Sequence, residues 1–101
     1  MPHRLRISVR FFTSLREITG KREEILVLSN NVEVTVDRVL EILSDRYGKE
    51  FVEYVYDPET HEVKRFLQFL INGKSASTNN GLKTALRDGD VLAILPPVGG
   101  G

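Results

Sequence analysis

The residues of this chain that are suited to chemistry lie at its end. An apolar run over Val91–Leu95 is followed by Pro96 and Pro97, and three glycines come after Val98. Proline fixes φ and donates no backbone hydrogen bond, so the pair stops sheet pairing and acts as a stiff spacer. The glycines have no Cβ, and the thread from Val98 onward spans roughly 13 Å when extended. A terminal carboxylate on such a thread is suited to delivery into another protein's active site.

A glycine-rich end also has a plainer explanation. Chain ends are often disordered, and composition alone does not separate a working tail from fraying. The order of strand, proline pair, apolar residue and glycines favours a working tail, because fraying needs no rigid spacer. We therefore expect the carboxylate of Gly101 to be the reactive group without proteolytic maturation, and Gly99 and Gly100 to thread the channel.

The composition predicts one domain with a real core. The 101 residues are 41% hydrophobic, and we expect a single domain over 1–98 with a flexible tail over 99–101. Basic and acidic residues number 14 each, so the net charge is zero. This argues against a protein that binds nucleic acid by neutralising phosphates, although Arg4, Arg6 and Arg10 lie close together.

Other classes of site receive little support from the sequence. There is no cysteine, hence no disulfide framework and no thiolate metal site, and His3 and His61 are isolated. No apolar run is long enough to cross a bilayer, and the N-terminus does not resemble a signal peptide. We expect a cytoplasmic protein with no metal, no bound cofactor and no membrane partner.

The first half of the chain predicts two strands and two helices. Residues 4–11 alternate polar and apolar, with Leu5, Ile7, Val9 and Phe11 inward. Residues 13–20 predict a short helix with a capping box at Ser14 and Glu17, ended by Gly20, before a strand at 24–28. Apolar residues at helical spacing over Val36–Tyr47 then predict the main helix, which is capped by Thr35 and ended by Gly48.

The second half predicts further strands and a hairpin. Residues 49–65 are the hardest to interpret, with a helical turn around 51–55 and a turn at 57–60. A strand at 66–71 meets the hairpin signal Asn72-Gly73, and a short return strand begins at Ser75. A short helix over 81–86 and a turn at 88–90 lead to the strand Val91–Leu95.

This order predicts an α+β roll of the β-grasp kind, the architecture of ubiquitin. The main helix crosses one face of a mixed sheet. The last strand lies centrally beside the first and parallel to it, which explains its continuous apolar run.

Strand parity also predicts an apolar partner surface beside the tail. If Leu92 and Ile94 face the core, then the outward residues form one patch, and the tail adds two more. The predicted surface comprises Phe12, Leu70, Ala93, Leu95, Pro97 and Val98. Two alternatives stay open, namely a loop covering Phe12 and the 49–65 segment covering the patch.

Both ends of the chain resemble one known family. The segments Val9–Phe12 and Leu15–Gly20 resemble the start of the small subunit of molybdopterin synthase, and Asp88–Val98 with its glycines resembles the end. The relatives are the ubiquitin-like sulfur carriers of the MoaD/ThiS group. Departures are the third glycine, the longer middle segment and Leu95, where an aromatic residue is common.

The resemblance implies a role as a carried substrate. An E1-like enzyme would use ATP to adenylate the Gly101 carboxylate, and a sulfur donor protein would convert it to a thiocarboxylate. The large subunit of molybdopterin synthase would then take the sulfur for molybdenum or tungsten cofactor synthesis. In this view the chain is a non-catalytic subunit, and the catalytic residues lie in the partner.

Three other functions remain open from the sequence. The same fold serves other sulfur delivery, as in thiamine synthesis. A lysine amine attacking the activated glycine would instead make the chain a protein modifier. An interaction domain with an inert tail would show no ATP-dependent change at Gly101.

Overall fold

Eight regular elements and one 3-10 turn make up the described part of the chain. The computed structural model describes residues 4–29, 33–76 and 81–96. In chain order the elements are β1 (Arg4–Phe11), α1 (Ser14–Thr19), β2 (Glu23–Ser29), α2 (Val36–Tyr47), α3 (Lys49–Val55), β3 (Gln68–Ile71), β4 (Lys74–Ser75), the 3-10 turn (Gly81–Lys83) and β5 (Val91–Leu95).

The strands form one mixed sheet in the order β2-β1-β5-β3-β4. β1 pairs antiparallel with β2 and, as predicted, parallel with β5, where Phe11 lies opposite Ile94. The apolar residues of β1 and β5 that point to one side are almost completely buried. β5 is therefore the central strand, which accounts for its continuous apolar run.

The main helix α2 covers one face of this sheet with the predicted stripe. Val36, Val39, Leu40 and Leu43 are fully buried. The Thr35 hydroxyl accepts a hydrogen bond from the Arg38 backbone N–H at 3.3 Å, and Gly48 ends the helix at φ +80°. We call the opposite side of the sheet the open face.

The 49–65 segment lies on the α2 side of the sheet. Phe51 and Val55 of α3 are fully buried in the same core, and α3 packs against α2 and α1. Beyond α3 the chain folds back, since Tyr56 bridges Val63 and the Lys64 N–H donates to the Val55 carbonyl at 2.8 Å. The alternative in which this segment covers the predicted patch is therefore wrong.

Several predicted boundaries needed correction. Ser14 is the first residue of α1, and Thr13 precedes it without a side-chain cap, so the capping box is wrong. β3 begins at Gln68 and not at residue 66, because the Leu67 N–H donates to the Lys64 carbonyl in a turn before the strand. β4 begins at Lys74, one residue earlier than predicted. The predicted helix over 81–86 is a 3-10 turn that ends at Lys83.

The hairpin Asn72-Gly73 is confirmed, with both residues at positive φ (53° and 84°). The amide side chain of Asn72 is used twice. Its oxygen accepts from the Val91 N–H at 2.9 Å, and its nitrogen donates to Asp90 at 2.8 Å. These bonds join the hairpin to the start of β5.

Candidate functional site

The tail leaves the sheet at the end where β1 and β5 finish together. Because these strands are parallel and Phe11 pairs with Ile94, both carboxyl ends lie on one edge of the molecule. Leu95 is the last residue of β5, and Pro96 follows it, half-buried. The predicted threading residues Gly99 and Gly100, the reactive Gly101, and the surface residues Pro97 and Val98 lie outside the described residues. Their roles stay predictions.

The structure brings three of the predicted surface residues together on the open face. In β5, Leu92 and Ile94 are fully buried while Ala93 and Leu95 are half-buried and face the other way, so the parity prediction is confirmed. Leu70 lies directly opposite Ala93 in the register of β3 and β5. The apolar side chains therefore adjoin the strand end from which the tail departs.

Phe12 lies at the same end of the molecule and is partly shielded. It follows the last residue of β1, so it is level with Leu95. The Arg16 guanidinium stands over its ring, 5.4 Å from the centroid, and the Arg16 Nε donates to the Phe11 carbonyl at 3.0 Å. The cover over half-buried Phe12 thus includes an arginine of α1. We call the described residues Phe12, Leu70, Ala93 and Leu95 the tail-exit patch.

Three arginines form a cationic rim beside this patch. Arg10, Arg16 and Arg22 line a shallow cavity of about 270 Å³ together with Phe12 and Glu23. Arg10 pairs with Glu23 at 3.5 Å, which leaves the rim with an excess of positive charge. Such a rim favours partners with acidic side chains around their own docking surface. The sequence alone did not assign this arrangement, because α1 has to fold back to bring Arg16 over Phe12.

A second cluster of charges lies on the α2 side of the sheet and holds β2 to α2. Glu24 is the centre of this Glu24 cluster, with a side chain only 11% exposed. It accepts hydrogen bonds from the Tyr47 hydroxyl and from Lys21 Nζ at 3.1 Å, and Arg46 Nη1 is 3.4 Å away. The Tyr47 ring in turn packs against Phe11 and Phe51.

Four of the described side chains have pKa values that burial or hydrogen bonds within the fold shift from their usual range. The hydrogen bond from Tyr47, helped by Lys21 and Arg46, holds the pKa of the Glu24 carboxyl below its usual range. Burial and the bond to Glu24 raise the pKa of Tyr47 to about 12. Burial raises the pKa of Tyr56, and the backbone N–H groups of Glu59 and Thr60 lower that of Asp57.

The described residues contain neither a cluster suited to a metal ion nor a helix suited to a membrane. In residues 4–29, 33–76 and 81–96, no group of three histidine, cysteine or acidic side chains is placed to hold a metal ion. None of the helices in that part of the chain has the length and apolar character needed to cross a membrane.

Comparison with known sequences points to one family. The ThiS family profile matches residues 9–101. The chain is 32% identical over 97 residues to small archaeal modifier protein 3 of Haloferax volcanii, covering 96% of this chain and 100% of that protein. It is 30% identical over 98 residues to sulfur carrier protein CysO of Mycobacterium tuberculosis, with coverage of 96% and 100%.

Solved structures show the same fold. The small archaeal modifier protein 1 of Methanosarcina acetivorans superposes with a TM-score of 0.80 at 31% identity, covering 98% of this chain and 99% of that one. A chain from the Amycolatopsis orientalis BexX/CysO complex superposes with a TM-score of 0.71 at 26% identity, with coverage of 94% and 99%. These likenesses confirm the ubiquitin-like β-grasp, and the second relative was solved with a partner protein.

Proposed function

The chain belongs to the ThiS family, and we propose that it carries sulfur on the carboxylate of Gly101. The observation that carries the proposal is the extent of the family match, which runs from the end of β1 through β5 and includes the glycine tail. The apolar tail-exit patch beside the end of β5 gives further support, since a carried tail needs a surface by which partners hold its domain.

The chemistry needs only the tail of this chain. A Gly101 carboxylate oxygen attacks the α-phosphate of ATP in an E1-like enzyme, so that pyrophosphate leaves and an acyl adenylate forms. A persulfide on a donor protein then attacks the carbonyl carbon with its terminal sulfur, so that AMP leaves and an acyl disulfide forms. A second thiol reduces this S–S bond by forming a disulfide with the donor cysteine, and the tail leaves as a thiocarboxylate, which is a better nucleophile than the original carboxylate. The chain binds no cofactor of its own, and ATP belongs to the activating partner.

The domain serves to present the tail. Gly99 and Gly100 pass through the narrow part of the partner's channel, because neither has a Cβ. The tail-exit patch docks on the partner, and Arg10, Arg16 and Arg22 favour an acidic rim around that contact. One surface then serves the activating enzyme and the sulfur acceptor in turn.

For the sulfur acceptor we propose the large subunit of molybdopterin synthase. This choice rests on the opening motif Val9–Gly20 and the closing motif Asp88–Val98, which resemble the small subunit of that enzyme. The thiocarboxylate would supply sulfur to a pterin precursor held by the large subunit. The location we propose is cytoplasmic, where ATP and the activating enzyme are available.

A second candidate function is protein modification. It is favoured by the named likeness to the small archaeal modifier proteins, at 32% and 31% identity. Here a lysine amine of a target protein attacks the carbonyl carbon of the Gly101 acyl adenylate, so that an isopeptide bond forms, AMP leaves and the amine loses a proton.

Intact mass spectrometry separates these functions. The chain is incubated with ATP, its activating enzyme and a sulfur source, with and without cell extract. A mass gain equal to the replacement of oxygen by sulfur supports the carrier, whereas conjugates that survive boiling and reductant support the modifier. No ATP-dependent change at Gly101 contradicts both. Co-purification with a large synthase subunit tests the acceptor, with Leu95→Arg as a control that should lose the partner.

A further inference from the structure

Among the described strands, none pairs with the outer side of the edge strand β2 at Ile25 and Val27. It is the first strand of the sheet and pairs with β1 alone among the described strands. The Phe11 N–H donates to the Arg22 carbonyl at 2.9 Å. Because antiparallel partners alternate in which side their backbone groups face, Leu26 also bonds toward β1. The N–H and C=O groups of Ile25 and Val27 therefore point outward.

The same alternation is visible on β1. The Ser8 N–H donates to the Asp90 carbonyl at 3.0 Å, and the Gly89 N–H donates to the Arg6 carbonyl at 2.9 Å. Backbone groups of Ser8 and Arg6 thus face away from β2. Their register partners on β2 are Ile25 and Val27, so those two residues face away from β1.

The side chains of the same two residues are also uncovered. Ile25 and Val27 are each 50% exposed and lie on the open face, within an apolar run from Ile25 to Leu28. Natural edge strands are commonly blunted by lysine, proline, a bulge or shortness. The other edge, β4, is only two residues long and carries Lys74, but the centre of β2 has no such protection.

We propose that a second copy of this chain adds to β2, antiparallel and about a two-fold axis at Leu26. In this register Ile25 lies opposite Val27 of the second copy, and both have outward backbone groups, so each pair exchanges its hydrogen bonds. Glu24 falls opposite Leu28 rather than opposite another carboxylate. The strand is therefore complementary to itself in hydrogen bonding and in apolar contact, and its carboxylates do not face one another.

The rest of the molecule is compatible with this pairing. The chain has 14 basic and 14 acidic residues, so two copies do not repel through net charge. Two strands, β1 and β5, separate β2 from β3. The tail-exit patch, which includes Ala93 and Leu70, therefore stays free in the dimer. Two short edges bury less than the roughly 1,200 Å² of a standard interface, which predicts a weak dimer.

Sedimentation equilibrium tests the association. For an interface of this size the dimer should appear between about 10 µM and about 1 mM. Val27→Lys should leave a monomer over that range, because a charged side chain is placed against Ile25 of the second copy. The matched control is Val52→Lys on α3, where the replaced side chain is 38% exposed, and it should dimerise like the parent. Thermal melts check that both variants are folded.

Amide hydrogen exchange identifies the interface. The N–H groups of Ile25 and Val27 should exchange quickly in dilute protein and become at least tenfold more protected at high concentration. The Leu26 N–H, already bonded to β1, should change little. A monomer throughout the range overturns the proposal. So does a dimer in which the Ile25 and Val27 amides keep their dilute exchange rates, since another surface must then be used.

Discussion

Removing the carboxylate at position 24 should destabilise the domain far more than removing its neighbour. Glu24 accepts a hydrogen bond from Tyr47, and a bond to a charged group contributes about 1.5–3 kcal/mol. Lys21 and Arg46 add at most about 1 kcal/mol each, because their side chains are half exposed. We expect Glu24→Ala to lower the free energy of unfolding by about 2–4 kcal/mol. For a chain of this length, that corresponds to a fall in melting temperature on the order of 10–20 °C.

The chain supplies a matched control at the next position. Glu23 is 42% exposed and pairs only with Arg10 among the described contacts, at 3.5 Å, so Glu23→Ala should cost less than about 1 kcal/mol. Urea and thermal unfolding of both variants measure the difference. Equal midpoints for Glu23→Ala and Glu24→Ala would refute the reasoning. A double-mutant cycle with Tyr47→Phe isolates the hydrogen bond, and we expect a coupling of at least about 1 kcal/mol.

The same cluster gives stability a defined dependence on pH. The pKa of Glu24 is lowered in the folded state, so its contribution is complete above the unfolded value near 4.5 and is lost as the pH falls below it. The pKa of Tyr47 is raised from 10.0 to about 12, so its contribution is complete below pH 10 and is lost as the pH rises toward 12. Urea midpoints measured from pH 3 to 12 check both the acid and the alkaline loss of stability. Tyr47→Phe should reduce the alkaline loss and leave the part that comes from the raised pKa of Tyr56.

The remaining predictions concern docking and the hairpin. Phe12→Arg or Leu95→Arg should weaken binding to the activating enzyme by at least about tenfold, while the melting temperature falls by only a few degrees. Loss of cooperative unfolding in either variant would contradict the placement of these side chains on the surface. Gly73→Ala should cost about 1 kcal/mol in urea unfolding, because φ is +84° and a Cβ there meets nothing within 4 Å. Asn72→Ala should lower the free energy of unfolding more, by about 2–3 kcal/mol, since the Val91 N–H also loses its acceptor. A smaller loss of stability than for Gly73→Ala would contradict this prediction.

The fold was largely predictable because its strongest signals are local. Alternation in β1, the stripe on α2 and the hairpin Asn72-Gly73 each follow from one short segment, and each is confirmed. The central place of β5 followed from its continuous apolar run. The capping box failed because the spacing of Ser14 and Glu17 does not fix which residue begins the helix, and Thr13 precedes α1 instead.

The missed features depend on contacts between distant segments. The pairing of Glu24 with Tyr47 joins residues 23 positions apart, across β2 and α2. Nothing in the local pattern around Glu24 indicates that partner. The exposure of Ile25 and Val27 was also missed, because the apolar run 25–28 resembles a strand buried on both faces. Only the sheet order shows that β2 is an edge.

The most direct test of the carrier account compares three tail lengths in the thiocarboxylate assay: the native sequence, a form with one residue appended after Gly101, and a form lacking Gly101. We expect only the native form to gain sulfur efficiently, because the appended residue displaces the reactive carboxylate and the deletion withdraws it by roughly 3.5 Å. All three should melt at the same temperature. Activation of the extended form without trimming, to the same level as the native form, would show that Gly101 is not the working end and would contradict the account.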